Sequence, residues 1–204
     1  MENFDLYAKN WDTENRTERA KAIANEICNH IEINSNEKSA MEFGCGTGLV
    51  GFQLANRFKS IIFTDSSNGM IEQVEKKISE LNITASTLCC DFLTDIPSDL
   101  HVDYIFSSLV LHHIIDTKMI LARLYKVLNS GGHLLIVDID KDDGSFHAKY
   151  PDFDGHNGFE QLSLMNLIKE VGFSKANIHT FYYNSKCFNG KKSPYSLFIL
   201  DAEK

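Results

Sequence analysis

At 204 residues, with 43% hydrophobic and 24% charged side chains and 3 prolines, the chain has the make-up of one folded domain, not of a disordered or collagen-like polymer. Its 28 acidic against 20 basic side chains leave a formal net charge of −8. That balance argues against nucleic acid as a partner, because a row of phosphates demands a positive face.

The N-terminal MENFDLYAKNWD has no basic segment followed by an apolar one, and no apolar run approaches the roughly 20 residues that span a bilayer. Neither a signal peptide nor a membrane partner is expected, and the expected compartment is cytoplasmic. The 5 cysteines are odd in number and contain no C-x-x-C pair. They read as reduced thiols, and no metal site is expected.

Apolar residues Ala20, Ile23, Ala24, Ile27 and Ile31 recur at three and four, which predicts a helix over Thr13–His30. Short apolar runs then alternate with helical patterns. Ala40–Phe43, Ile61–Thr64, Ala85–Cys89, Tyr104–Ser108 and His133–Asp138 read as buried strands. Val50–Arg57, Gly69–Leu81 and Lys118–Leu128 read as the helices between them, and Asn129–Gly132 as a stop and turn. A helix over Phe159–Val171 ends at Gly172, and strands over Ala176–Tyr183 and Tyr195–Leu200 flank a hairpin-type loop at Asn184–Pro194. Strands alternating with helices predict an α/β fold, with one mostly parallel sheet of seven strands and helices on both faces. No repeat or linker divides the chain, so residues 1–204 read as a single domain.

The strongest local signal is Glu42-Phe43-Gly44-Cys45-Gly46-Thr47-Gly48, where a strand runs into three alternate glycines and a helical pattern follows. Glycines there permit unusual backbone angles and close approach of a ligand, and free N–H groups at a helix start favour an anion. Alone, the segment leaves an ordinary glycine turn open as the lesser alternative. Asp65 ends the next strand about twenty residues on, where an acid takes ribose hydroxyls in nucleotide-binding α/β folds. Asp91-Phe92 ends the strand after that, offering an acceptor for an adenine amino group and an apolar wall, with Met70 as a second wall. Each acid alone is as readily a helix cap or a solvated turn; the three in order at successive strand ends are the signal.

In that order the motifs resemble the class I S-adenosylmethionine-dependent methyltransferases, and in particular the small-molecule group that includes the ubiquinone and menaquinone biosynthesis enzymes. The resemblance spans nearly the whole chain, through Asp103–His113 and Leu124–Asp138. It implies a Rossmann-like sheet in the order 3-2-1-4-5-7-6 with strand 7 antiparallel. It also implies S-adenosyl-L-methionine as cofactor and S-adenosyl-L-homocysteine as product. Glu42, Gly44, Gly46, Gly48, Asp65, Ser66, Met70, Asp91, Phe92 and Ser107 become the implied cofactor contacts, and residues 1–35 an N-terminal lid and helix that bring Tyr7 and Trp11 over it. His112 and His113, just past the fourth strand, are candidate catalytic residues, with a structural role for the pair equally open. Residues 139–160 read as a substrate-covering loop, with Tyr150 and His156 as candidate substrate contacts.

The acceptor is expected to be a small molecule, and the protein a monomer or homodimer. Two other readings stay open. A nicotinamide-dependent oxidoreductase would use Gly46-x-Gly48-x-x-Gly51, which matches its glycine spacing but sits displaced into the helix start. A binding protein of the same fold without turnover would keep the cofactor set. An Asn/Asp-Pro-Pro-aromatic motif, the mark of nucleic-acid methyltransferases, is absent after the fourth strand, where Ser107-Ser108-Leu109-Val110 stands.

Overall fold

A computed structural model of the chain describes residues 4–32 and 35–204. Seven strands form one sheet: β1 (Ser39–Phe43), β2 (Ser60–Asp65), β3 (Ala85–Cys89), β4 (Val102–Ser108), β5 (Leu128–Ile139), β6 (Lys175–Phe188) and β7 (Lys191–Glu203). Their order is β3-β2-β1-β4-β5-β7-β6, with β7 antiparallel to both neighbours and the rest parallel, as expected. Six helices flank it: α1 (Phe4–Tyr7), α2 (Glu14–Asn29), α3 (Gly51–Leu54), α4 (Asn68–Leu81), α5 (Thr117–Val127) and α6 (Gln161–Val171). None of the described helices is long and apolar enough to cross a membrane.

Because side chains alternate across a strand, the sheet sorts its apolar residues into two cores. Ala40, Phe63, Tyr104, Phe106, Leu135, Val137 and Ile199 face one side with α2, α3 and α4; Met41, Ile105, Leu134, Ile136 and Phe198 face the other with α5 and α6. Parallel strands buried on both faces explain why their sequences run as continuous apolar stretches. At the start of β1, Asp103 Oδ2 accepts from the backbone N–H and the hydroxyl of Ser39, both at 2.9 Å, while its Oδ1 accepts from Asn129 at 3.0 Å. These bonds join β1 to β4 beside the point where the chain order of the sheet reverses.

Three boundaries differ from expectation. Asn129–Gly132 is not a free turn but a bulge within β5, the register against β4 jumping from Val102↔Leu128 to Tyr104↔His133, with Gly131 at φ 71°. The polar stretch Asn184–Pro194 is mostly strand. β6 and β7 pair out to Phe188↔Lys191, and Asn189-Gly190, at φ 50° and 75°, makes a two-residue turn. Asn-Gly suits the doubly left-handed turn whose twist matches a hairpin, so a composition that suggested a long loop ends in two residues. The helix expected over Val50–Arg57 is one α-turn followed by a 3-10 turn at Ala55–Arg57. Such a short element carries little dipole, and the Gly51 N–H is already bonded to Glu42 Oε2 at 3.1 Å.

Residues 139–160 fold back on themselves. Lys141 N–H donates to Phe159 O and Asp142 N–H to Asn157 O, which closes the base of the segment. Inside it, His147 stacks on Phe153 with centroids 3.6 Å apart and planes 9° from parallel. Both ring nitrogens of His147 are buried without a hydrogen-bond partner among the described residues. Burial first, then the neighbouring His112 and Lys186 charges, lower its pKa from 6.5 to about 4.

Two outcomes follow from this packing. Leu135→Ala, at a position with no solvent exposure, should cost about 2–5 kcal/mol and lower the urea midpoint accordingly; a change below about 1 kcal/mol would contradict its place in the core. The second concerns pH. Below about pH 6.5 the unfolded chain protonates His147 while the folded chain resists down to about pH 4, so stability should fall as pH drops through that window. Urea midpoints measured across it should decline less steeply in His147→Phe, and an unchanged slope would remove His147 as a source.

Candidate active site

The carboxyl ends of β1, β2, β3 and β4 open into a cavity of about 590 Å³, within the range of small-molecule sites. Its floor is the glycine segment. Gly44, Gly46 and Gly48 lie at φ 67°, 53° and 79°, a region that side-chain-bearing residues avoid. Packing adds a second constraint: a Cβ on Gly44 would fall 2.5 Å from Val110, and one on Gly48 2.6 Å from Phe52. Gly44 and Gly46 line the cavity, whereas Gly48 turns the chain into α3 outside it. Gly51, the last glycine of the alternative nicotinamide spacing, leaves room for Glu42: a Cβ there would stand 2.2 Å from Glu42 Oε2.

Two acids anchor this floor. Glu42 is buried, and desolvation pushes its carboxyl well above the usual range, offset only in part by the Gly51 N–H. Asp65 accepts from Gly46 N–H at 2.8 Å and from Ser67 N–H at 2.9 Å. Burial raises its pKa against those bonds. A carboxylate has about four lone-pair sites, so acceptor capacity remains for two ligand hydroxyls.

At the β3 end Asp91, Phe92, Leu93 and Met70 line the cavity, joined by Ser66. Phe92 and Met70 are buried apolar walls, and Phe92 leans on Phe43 with centroids 5.3 Å apart. Asp91 Oδ1 caps the turn by accepting from Leu93 N–H at 2.9 Å.

The N-terminal segment crosses the opening and is latched at two points. Asp5 Oδ1 accepts from the Ser67 hydroxyl at 2.6 Å and Gly69 N–H at 2.8 Å, which keeps its carboxyl below the usual range. Asp12 accepts from the Thr47 hydroxyl at 2.5 Å and from Lys77 at 2.7 Å. Phe4 and Trp11, each next to a latch, meet edge to face, and both line the cavity. Tyr7 does not: the α1 turn and the 3-10 turn at Ala8–Asn10 bury Ala8 and leave Tyr7 54% exposed. Arg16, stacked 3.9 Å over Trp11 and donating to its carbonyl at 3.0 Å, lines the cavity with Arg19, which is hydrogen-bonded to Tyr195.

Past β4, period-two alternation separates the two serines. Ser107 turns inward and donates to Phe43 O at 2.8 Å, outside the cavity, while Ser108 lines it. Leu109 follows at φ 58°, a strained conformation for its type, and also faces the cavity. The two histidines divide as well. His113 lines the cavity against Phe4, and burial foremost lowers its pKa to about 4, leaving it neutral at pH 7. His112 is buried behind it, its Nδ1 2.6 Å from Asp138 Oδ1 and its backbone N–H bonded to Asp138 Oδ2 at 3.1 Å.

The 139–160 segment supplies no lining residue. It reaches the site through Phe153, whose ring meets His113 edge-on at 5.5 Å. His156 is spent on structure: its N–H donates to His112 O at 2.7 Å, and its Nε2 lies 3.0 Å from Ile114 O and 3.2 Å from the Thr117 hydroxyl. Tyr150 sits at the surface with its N–H bonded to His147 O. Conversely, Phe4, Asp5, Arg16, Arg19, Leu109 and Asp138 went unrecognised in sequence. Asp5 bonds Ser67 across 62 residues and Asp138 bonds His112 across 26, so no local spacing marks those two.

Residues 41–134 match the family model described as a methyltransferase domain. An uncharacterized methyltransferase of Schizosaccharomyces pombe is 30% identical over 155 residues, covering 69% of this chain and 55% of that protein. A malonyl-[acyl-carrier protein] O-methyltransferase of Priestia megaterium is 29% identical over 136 residues, covering 65% and 48%. The chain thus spans about half the length of these relatives. Among solved structures, phosphoethanolamine N-methyltransferase 2 of Haemonchus contortus, in complex with S-adenosyl-L-methionine, superposes with a TM-score of 0.73 at 16% identity over 89% of this chain and 52% of that one. Residues 41–134 are thus similar in sequence to a methyltransferase domain, and the whole sheet has the Rossmann-like fold of the methyltransferase structures on which it superposes.

Proposed function

We propose that the protein binds S-adenosylmethionine in this cavity and transfers its methyl group to a small-molecule acceptor. The observation that carries the reading is the convergence of Asp65, the glycine floor, the Asp91, Phe92 and Met70 wall and the latched N-terminal segment on one cavity. In this reading Asp65 takes the ribose hydroxyls, Asp91 the adenine amino group, and Phe92 and Met70 the faces of the ring. Glu42 and the loop at Gly44 and Gly46 hold the methionyl portion under Trp11. Arg16 and Arg19 supply the positive charge that a methionyl carboxylate, or the anionic group of an acceptor, would meet.

The cofactor brings an activated methyl group, so the chain's task is alignment and exclusion of water. Phe4 and Trp11 roof the site. His113, neutral and facing the cavity, is placed to accept a hydrogen bond from an acceptor hydroxyl or amine; the His112–Asp138 pair behind it positions the turn that carries it. A malonyl-[acyl-carrier protein] O-methyltransferase among the proteins similar in sequence, and a phosphoethanolamine N-methyltransferase similar in fold, are named for acceptors compatible with the two arginines. The finer kinship with ubiquinone and menaquinone enzymes rests on motif order alone. Net charge −8 favours a small acceptor over nucleic acid. A fold-conserving binder without turnover is the second reading; release of S-adenosylhomocysteine in a metabolite screen separates the two.

Calorimetry should detect S-adenosylmethionine and S-adenosylhomocysteine but not NAD. Asp65→Ala should weaken both by about 1–3 kcal/mol, or about 5- to 150-fold, through unmet hydroxyls. Undiminished affinity would overturn the role given to Asp65. With an acceptor in hand, His113→Ala should lower turnover more than cofactor affinity; equal losses would instead make His113 a cofactor-positioning residue.

A further inference from the structure

On the sheet face covered by α2, away from the cavity, three side chains converge that the methyl-transfer reading does not use. Glu26 and His30 stand four residues apart at the end of α2, and His179 rises from β6. Glu26 Oε1 lies 3.0 Å from His179 Nε2 and 3.6 Å from His30 Nε2, and the three ligand atoms fall within 4.8 Å of one another. Tetrahedral coordination with metal–ligand bonds of about 2.0–2.1 Å requires ligand atoms about 3.3 Å apart, close to two of these edges. The His30 and His179 rings stack with centroids 5.8 Å apart and planes 24° from parallel.

The surroundings orient this set. Asp201 Oδ2 lies 3.1 Å from His30 Nδ1, and its Oδ1 lies 3.0 Å from His133 Nδ1. With His30 Nδ1 donating to the carboxylate, its Nε2 turns a lone pair toward Glu26, so two acceptors face each other. Glu26 Oε2 accepts from Asn29 Nδ2 at 3.3 Å, leaving Oε1 to the histidines. A carboxylate behind a histidine and an amide behind a carboxylate are the supports that metal ligands have. A cation between Nε2 and Oε1 would relieve the opposition of acceptors.

We propose that Glu26, His30 and His179 bind a zinc-like divalent transition-metal ion, which clamps α2 to β6. Two imidazoles and one carboxylate suit zinc and its neighbours, not the all-oxygen sets of magnesium or calcium. The clamp has a consequence for the site: Arg16, Arg19, Ala20 and Ile23, on the same helix, line the cavity. Fixing the end of α2 to the terminal hairpin would hold that wall.

The test uses untagged full-length protein, stripped with a chelator and titrated calorimetrically with Zn²⁺ alone. One equivalent should bind, and Zn²⁺ should raise the Tm. His179→Ala, at a half-exposed position, should lose at least about tenfold in affinity and the Tm shift, as should Glu26→Ala. Asp201→Asn should weaken binding by about 10–100-fold, and His101→Ala, an exposed histidine elsewhere, should change nothing. Absence of saturable binding, or equal affinity in wild type and His179→Ala, would overturn the proposal and leave the three groups as a proton-sharing network.

Discussion

The carboxylate of Asp65 is the joint on which the site is built. It sits at the end of β2, partly buried, and accepts the N–H groups of Gly46 and Ser67. The first bond ties the glycine floor to the neighbouring strand. The second fixes the start of α4, where Ser67 caps the helix by accepting from Met70 N–H at 3.2 Å. Asp5 then latches onto that same helix start. A buried carboxylate costs desolvation unless its acceptors are used, so two backbone donors and the lone pairs left over are structure and binding site at once.

Glu42 is the matching joint under the floor. Its carboxyl fills the space that Gly51 leaves, and the bond from the Gly51 N–H ends the loop against the sheet. Together the two acids tie the floor to the sheet from both sides, while the described part of the roof is held by the Asp5 and Asp12 hydrogen bonds and by ring contacts of Phe4 and Trp11. A floor tied to the sheet and a roof held in this way suit a site that must admit a cofactor and then exclude water.

On the far side of the switch point, the chain handles a different problem. The segment after β4 must leave the sheet in the space between β1 and β5, and it does so through Leu109 in a left-handed conformation. Asp138 at the end of β5 then receives both the backbone and the ring of His112. That arrangement places His113 at the cavity edge and lets the 139–160 segment pack behind it through Phe153. The segment shapes the site from outside: its base closes on itself, and His156 is bonded to the turn at Ile114–Thr117.

Much of this was legible in the linear sequence, for a physical reason. Buried parallel strands must be apolar throughout, helices between them must show a 3.6-residue stripe, and a chain passing under a ligand needs glycine where φ is positive. Those are local demands, so strand order aside, seven strands, the glycine floor and the acids at Asp65 and Asp91 could be read directly. What only the tertiary structure decided depends on partners distant along the chain. Ser107 and Ser108 differ in nothing but parity; His112 and His113 are separated by Asp138, 26 residues on; Tyr7 loses the cavity to Phe4 through a change of helix type. The same holds for His179, which no spacing relates to the i,i+4 pair Glu26 and His30 and which the packing of β6 brings beside them. Local pattern determined the elements and the floor of the site, and long-range packing decided which side chains face it.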